Sequence, residues 1–254
     1  MHNDDFEEIF YTNTEPQEIY EKESKKKEIY LKSGINKKKI YSKGMENWVH
    51  FIYTWSILLG LAVVSIIAQA KFPTRFNYFI NTISEQGSII LNPIGGIVWR
   101  IGVLINGIAH IPHNLLVYKK IFYINPLWSK ISTIFALIAA VSFSFVGAIP
   151  VDYGTYHNLA SIFAFVGYYI SAILGFIILA SKNSPLGNYL RNSKKALGFL
   201  IYFLFSGAGC VFSSILSSKI VFVAAIYPFL EWNYLLAICI WFVSWVYLLP
   251  KLKK

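Results

Sequence analysis

The sequence predicts an all-α integral membrane protein, a bundle of six transmembrane helices with both termini in the cytoplasm. Three observations predict it. The chain is 56% hydrophobic and only 14% charged, too apolar a composition to clothe a water-soluble surface. Apolar runs of about twenty residues, the length a helix needs to cross roughly 30 Å of hydrocarbon, recur along it. Lysine and arginine gather in alternate connections, which sets the side that each connection faces.

Residues 1–47 are polar, acidic at first (Asp4, Asp5, Glu7, Glu8) and then lysine-rich (Lys25, Lys26, Lys27, Lys37, Lys38, Lys39). They read as a disordered cytoplasmic tail whose lysines are drawn to anionic headgroups, each worth on the order of 1 kcal/mol close to the surface. Residues 48–254 form the transmembrane domain. No cleavable signal peptide is expected, because the first apolar run begins only at Trp48 and serves as its own membrane signal.

The spans are expected at 48–70, 93–117, 128–149, 158–180, 198–218 and 232–249. Between the first two, residues 71–92 are too polar to span yet carry Phe72, Phe76, Tyr78, Phe79, Ile80, Ile89 and Ile90, and are expected to lie in the membrane interface. The tail, the 118–127 turn, the 181–197 loop and the C-terminus hold nearly all the basic residues, whereas the other side receives only Lys71, Arg75 and Lys219. This alternation accounts for the net charge of +10 better than nucleic-acid binding does, since no single face collects it. A cell-membrane location follows, with membrane lipids as partners and oligomerisation left open.

Small residues recur at helical spacing in span four (Ser161, Ala164, Gly167, Ser171, Gly175) and span five (Ser206, Gly207, Cys210, Ser213, Ser217). Such stripes let helix backbones approach where no hydrophobic drive exists between helices, so they read as packing seams. Cys210 and Cys239 lie inside apolar runs and read as small hydrophobes.

Two polar constellations stand out, and residues 84–117 contribute to both. On the extracytoplasmic side Ser84, Glu85, Arg100, Asp152 and His157 form a candidate binding cluster. Arg100, about 10 Å down span two, needs a countercharge or a route to the rim. Glu85 and Asp152 are its expected partners, either as a functional site or as an ion pair that pins the loops. Ser84, His157 and Asp152 are the one combination there resembling a nucleophile, base and orienting acid.

Toward the cytoplasmic end Asn106, His110 and His113 fall within about 60° of one helix face and are expected to point into the bundle. Adding His50 gives three imidazoles, yet no carboxylate or cysteine supports them as a zinc site, so no metal and no cofactor is assigned. Spans three, five and six offer only serine and glycine at midplane depth, which argues against a continuous solute path.

Ser84-Glu85-Gln86-Gly87, Asn92-Pro93, Asn114-Leu115-Leu116-Val117-Tyr118, Val146-Gly147 and Tyr156-His157-Asn158-Leu159-Ala160 together resemble two groups of six-span proteins. One is a prokaryotic membrane family with a Ser-Glu-Leu-Gly loop motif. The other is the eukaryotic damage-regulated autophagy modulator and Sfk-type family. The resemblance covers about residues 48–180, with Gln86 standing where leucine is usual. It implies that Ser84, Glu85, Gly87, Pro93 and His157 form a shared extracytoplasmic surface. It also implies a lipid-interacting, membrane-organising role without catalysis; an intramembrane enzyme or a small-solute transporter using the extracytoplasmic cluster is the alternative.

Overall fold

The computed structural model describes residues 24–25, 37–216 and 219–252. Ser217, the final lysines and most of the tail, including its expected disorder and headgroup contacts, lie outside the described residues. The chain divides into two units, Met1–Glu46 and Asn47–Lys254, and the second carries the bundle.

All of the long elements are helices: α1 Lys37–Ala70, α2 Gly95–Ile121, α3 Pro126–Ala148, α4 Thr155–Ala180, the short α5 Gly187–Asn192, α6 Lys194–Leu216 and α7 Val221–Leu248. Six of them are long and apolar enough to cross a membrane: α1 from Glu46, α2, α3, α4, α6, and α7 continued to Lys251. Isoleucine and leucine stand exposed along each of the six, with phenylalanine on all but α2, as a lipid-facing surface requires. The protein is a multi-pass membrane protein.

Local chemistry sets the ends. Asn125 caps α3 by accepting the amide of Trp128 at 3.2 Å, and Pro126 occupies the first turn, where its missing N–H costs nothing. Gly154, at φ +50°, turns the chain from the 3-10 segment Val151–Tyr153 into α4, a conformation that favours glycine.

Helices α2, α3 and α4 pack in sequence as antiparallel neighbours, and α6 pairs with α7. Gly147 marks how closely α2 and α3 approach, since a Cβ there would lie 2.7 Å from the Arg100 carbonyl oxygen. The small-residue stripes are seams: Gly167 lies against Phe135 and Ala139 of α3, Gly175 against Trp241 of α7, and Gly207 against Tyr169 of α4. Helix α7 closes the bundle. Its Tyr234 hydroxyl donates to the Phe165 carbonyl of α4 at 2.8 Å, and its Phe242 ring stacks on His113 of α2.

Two expectations are corrected. The last span begins at Val221 rather than 232, because the helix runs unbroken through Pro228 and through Glu231, whose carboxylate is supplied with donors from the 71–92 loop. That loop is only partly interfacial. Gln86, Ser88 and Asn92 are fully buried in the bundle, while Tyr78, Phe79, Ile80, Ile89 and Ile90 remain exposed.

Candidate functional site

At the end of the bundle where α2 begins, the 71–92 loop is tied down residue by residue. Asn92 donates its amide to the carbonyls of Ala68, at 3.0 Å, and Gln86, at 2.9 Å, so it satisfies an acceptor in the last turn of α1. Gln86 accepts from the Ser65 hydroxyl at 2.9 Å, and Gln69 of α1 joins the same group. Ser88 accepts the amides of Ile90 and Leu91, forming a tight turn, and donates its hydroxyl to Asp152 at 2.7 Å.

Three carboxylates then act on the loop backbone. Asp152 accepts the Ile89 amide at 2.6 Å as well as the Ser88 hydroxyl. Glu85 accepts from Asn81 and from the Thr82 amide within its own turn. Glu231, 1% exposed on α7, accepts the Ile83 amide at 2.8 Å and the Ser84 hydroxyl at 3.3 Å. Trp232, beside it, donates its indole N–H to the Asn81 carbonyl at 3.1 Å. Partial burial pushes the Asp152 carboxyl up, but the hydrogen bonds from Ser88 and from the backbone of Ile89 and Ile90 outweigh it and hold the group below its ordinary range.

The expected extracytoplasmic cluster is thus brought to one end but not to one point. Arg100 is half-buried and donates its Nε to the Gly96 carbonyl one turn back at 3.2 Å, while Glu85 and Asp152 are engaged by the loop. The pairing of Arg100 with these acids is therefore corrected: backbone amides and hydroxyls, invisible to a charge count, have taken the carboxylates. The combination of Ser84, His157 and Asp152 is likewise divided. Ser84 donates to Glu231, and His157 donates from Nδ1 to the Ile149 carbonyl at 2.6 Å. Glu231, which the sequence places near the boundary, belongs at the centre of this region.

The second constellation lies deeper. Arg100 and His113 are separated along α2 by about 20 Å at 1.5 Å per residue. Asn106, His110 and His113 are all buried on the inward face, as expected, and Asn106 donates to the Ile57 carbonyl of α1 at 2.7 Å. His113 Nδ1 meets Thr54 Oγ at 3.1 Å, and Thr54 in turn lies 3.5 Å from His50 Nε2. His50 stacks on one face of His113, with ring centroids 5.0 Å apart, and Phe242 on another at 4.4 Å. His110 Nδ1 is hydrogen-bonded to the Tyr168 hydroxyl, and its ring lies between Phe143 and Phe242. Among the described residues no three His, Cys, Asp or Glu side chains converge on a metal-sized site.

No protein-family model, curated protein or solved structure matches this chain.

Sequence reasoning did not single out Thr54, Tyr168, Ser88, Phe242 or the buried role of Gln86. For Thr54 a signal existed, since it lies one helical turn from His50 and so shares its face. Tyr168 and Phe242 stand on other helices in aromatic-rich stretches, where nothing in the local pattern distinguishes them.

Proposed function

We propose that this protein is a lipid-contacting, membrane-organising protein without catalysis, working through the rim that the 71–92 loop builds. One observation carries the reading. Glu231 and Asp152 hold the loop by its backbone, at Ile83 and Ile89, while Tyr78, Phe79, Ile80, Ile90 and Leu91 stand exposed beside those anchors. A polar clamp beneath an apolar, aromatic edge is what a segment needs to sit at fixed depth among headgroups and upper acyl chains.

Aromatic packing supports a rigid edge. Phe79 stacks on Phe229 of α7 at 5.8 Å, and Tyr78 meets the edge of Trp232 at 5.0 Å. The charge distribution of the connections supports an extracytoplasmic rim in this reading, and the lysine-rich composition of the tail supports attraction to anionic headgroups. The likeness to the six-span families with a Ser-Glu-Leu-Gly loop belongs to the same reading.

The test is native mass spectrometry of the full chain released from detergent, comparing wild type with a Phe79→Ser, Ile80→Ser, Ile90→Ser variant. Retained phospholipid on the wild type, lost from the variant at unchanged thermal stability, is the expected result. Equal retention on both would remove the rim from the function.

A further inference from the structure

A cavity lies within the bundle among α2, α3, α4 and α7. Its walls include His113 and Asn114 of α2, Ser132 of α3, Tyr168 and Ser171 of α4, and Trp241 of α7. It is large enough for an ordered water and offers more than the two to four polar partners that a buried water needs. We propose that water occupies it and links His113 to Tyr168, making a proton-exchange route from His50 to His110 inside the membrane-spanning region.

The geometry of His113 carries the proposal. The ring is 1% exposed, so bulk solvent does not reach it. Its faces are taken by His50 and Phe242, and its Nδ1 edge by Thr54, which is not a wall of the cavity. The remaining edge, with Nε2, is the one left to meet the cavity. The hydrogen bond of this ring runs through Nδ1, and the residue lines the cavity. A ring nitrogen that faces a small closed cavity is satisfied by a water held there.

Either tautomer leads to the same ligand. With Thr54 donating to Nδ1, Nε2 carries the proton and needs an acceptor; with Nδ1 donating to Thr54, Nε2 is a lone pair and needs a donor. Water alone, among ligands of this size, serves both. Tyr168 poses the same problem: its hydroxyl has one bond to His110 Nδ1, and whichever atom donates, the phenol is left with a free donor or acceptor.

Transfer along this path is balanced. Thr54 passes its hydroxyl proton to His113 Nδ1 as it takes one from His50 Nε2; His113 Nε2 gives one to water; water gives one to the Tyr168 oxygen as Tyr168 gives its own to His110 Nδ1. At each intermediate group one N–H or O–H bond forms as another breaks; starting from His50 as the imidazolium, the sum is one proton and its charge moved from His50 to His110, and the reverse sequence returns them. The Nε2 of His110 is buried without a partner, so the route ends there and works as exchange rather than conduction.

The test uses the full chain, labelled with ¹⁵N-histidine, in phospholipid bilayers and studied by solid-state NMR with water-edited spectra. Polarisation from water to His113 is expected, with deuterium from D2O reaching the His110 and Tyr168 pair. Ala136→Leu and Ser171→Val each add carbon to a cavity wall and should lower the water signal at His113 by roughly tenfold, as expected for a filled site that held few waters. A wild-type His113 with no water signal would overturn the proposal, and this arm stands even if both variants fail to fold. An undiminished signal in a folded, filled variant would overturn it as well.

Discussion

Glu231 on α7 accepts the backbone amide of Ile83 at 2.8 Å, a bond that joins the first loop of the bundle to its last helix across 148 residues of chain. The Ser84 hydroxyl adds a second donor at 3.3 Å. Because the carboxylate is fully buried, its worth depends on both donors being present.

Glu231→Ala strands the Ile83 amide in a dry place and should lower stability by about 1–3 kcal/mol, whereas Glu231→Gln, which keeps a carbonyl acceptor, should cost less. Ser84→Ala removes one donor. Thermal unfolding in detergent of the single and double variants should give a coupling of at least about 0.5 kcal/mol between the two positions. Strictly additive losses would mean that the clamp is not a unit.

Asp152 makes a pH prediction. Its carboxyl is held below its ordinary value of 3.8, with burial opposing and the Ser88 and Ile89 hydrogen bonds prevailing. A depressed folded value means that the unfolded chain takes up the proton first, so the stabilisation is complete above that ordinary value and fades as the pH falls through the folded one. Unfolding temperature measured between neutral pH and about pH 3 should therefore drop at the acid end. Asp152→Asn should remove this part of the drop.

Much of this architecture is legible in the sequence, because hydrocarbon imposes length and composition on each span independently of the others. The inward direction of Asn106, His110 and His113 is legible too, since three polar groups on one face have no tolerable outlook on lipid. What the sequence hides is pairing between distant segments. Glu231 and Pro228 look like a boundary until the Ile83 amide and the Ser84 hydroxyl arrive from the loop. Arg100 looks in need of an acid until the acids are seen to hold backbone amides, groups that every residue carries and no pattern marks.

Arg100 gives the sharpest contrast between an ion pair and its absence. Were its guanidinium paired with a buried carboxylate, Arg100→Leu would cost about 3–5 kcal/mol by stranding the partner. Its Nε instead donates to the Gly96 carbonyl of its own helix. The substitution should then change stability by no more than about 0.5 kcal/mol, the scale of a substitution that breaks no network. Combined with Glu85→Gln, the two effects should add within about 0.5 kcal/mol in a double-mutant cycle read by thermal unfolding.

The same substitution at two glycines should have opposite signs. At Gly60 in α1 a Cβ meets nothing within 4 Å, so Gly60→Ala adds helix propensity against an open, lipid-facing surface. It should stabilise, by up to about 1 kcal/mol, because alanine loses less backbone freedom on folding. At Gly147 in α3 the added carbon would lie 2.7 Å from the Arg100 carbonyl oxygen and 2.9 Å from the Val103 carbonyl carbon. These are backbone atoms of α2, which no rotamer change can move aside, so the two helices must separate along a seam that also buries Val103 and Phe143. Gly147→Ala should therefore destabilise, by about 1–3 kcal/mol, as overpacking does in a close-packed interior. Melting of both variants in one detergent decides the matter: a Gly147→Ala protein as stable as wild type would mean that α2 and α3 are not in backbone contact at this level. A destabilised Gly60→Ala protein would place another helix, from a second copy of the chain, against the face that is open here.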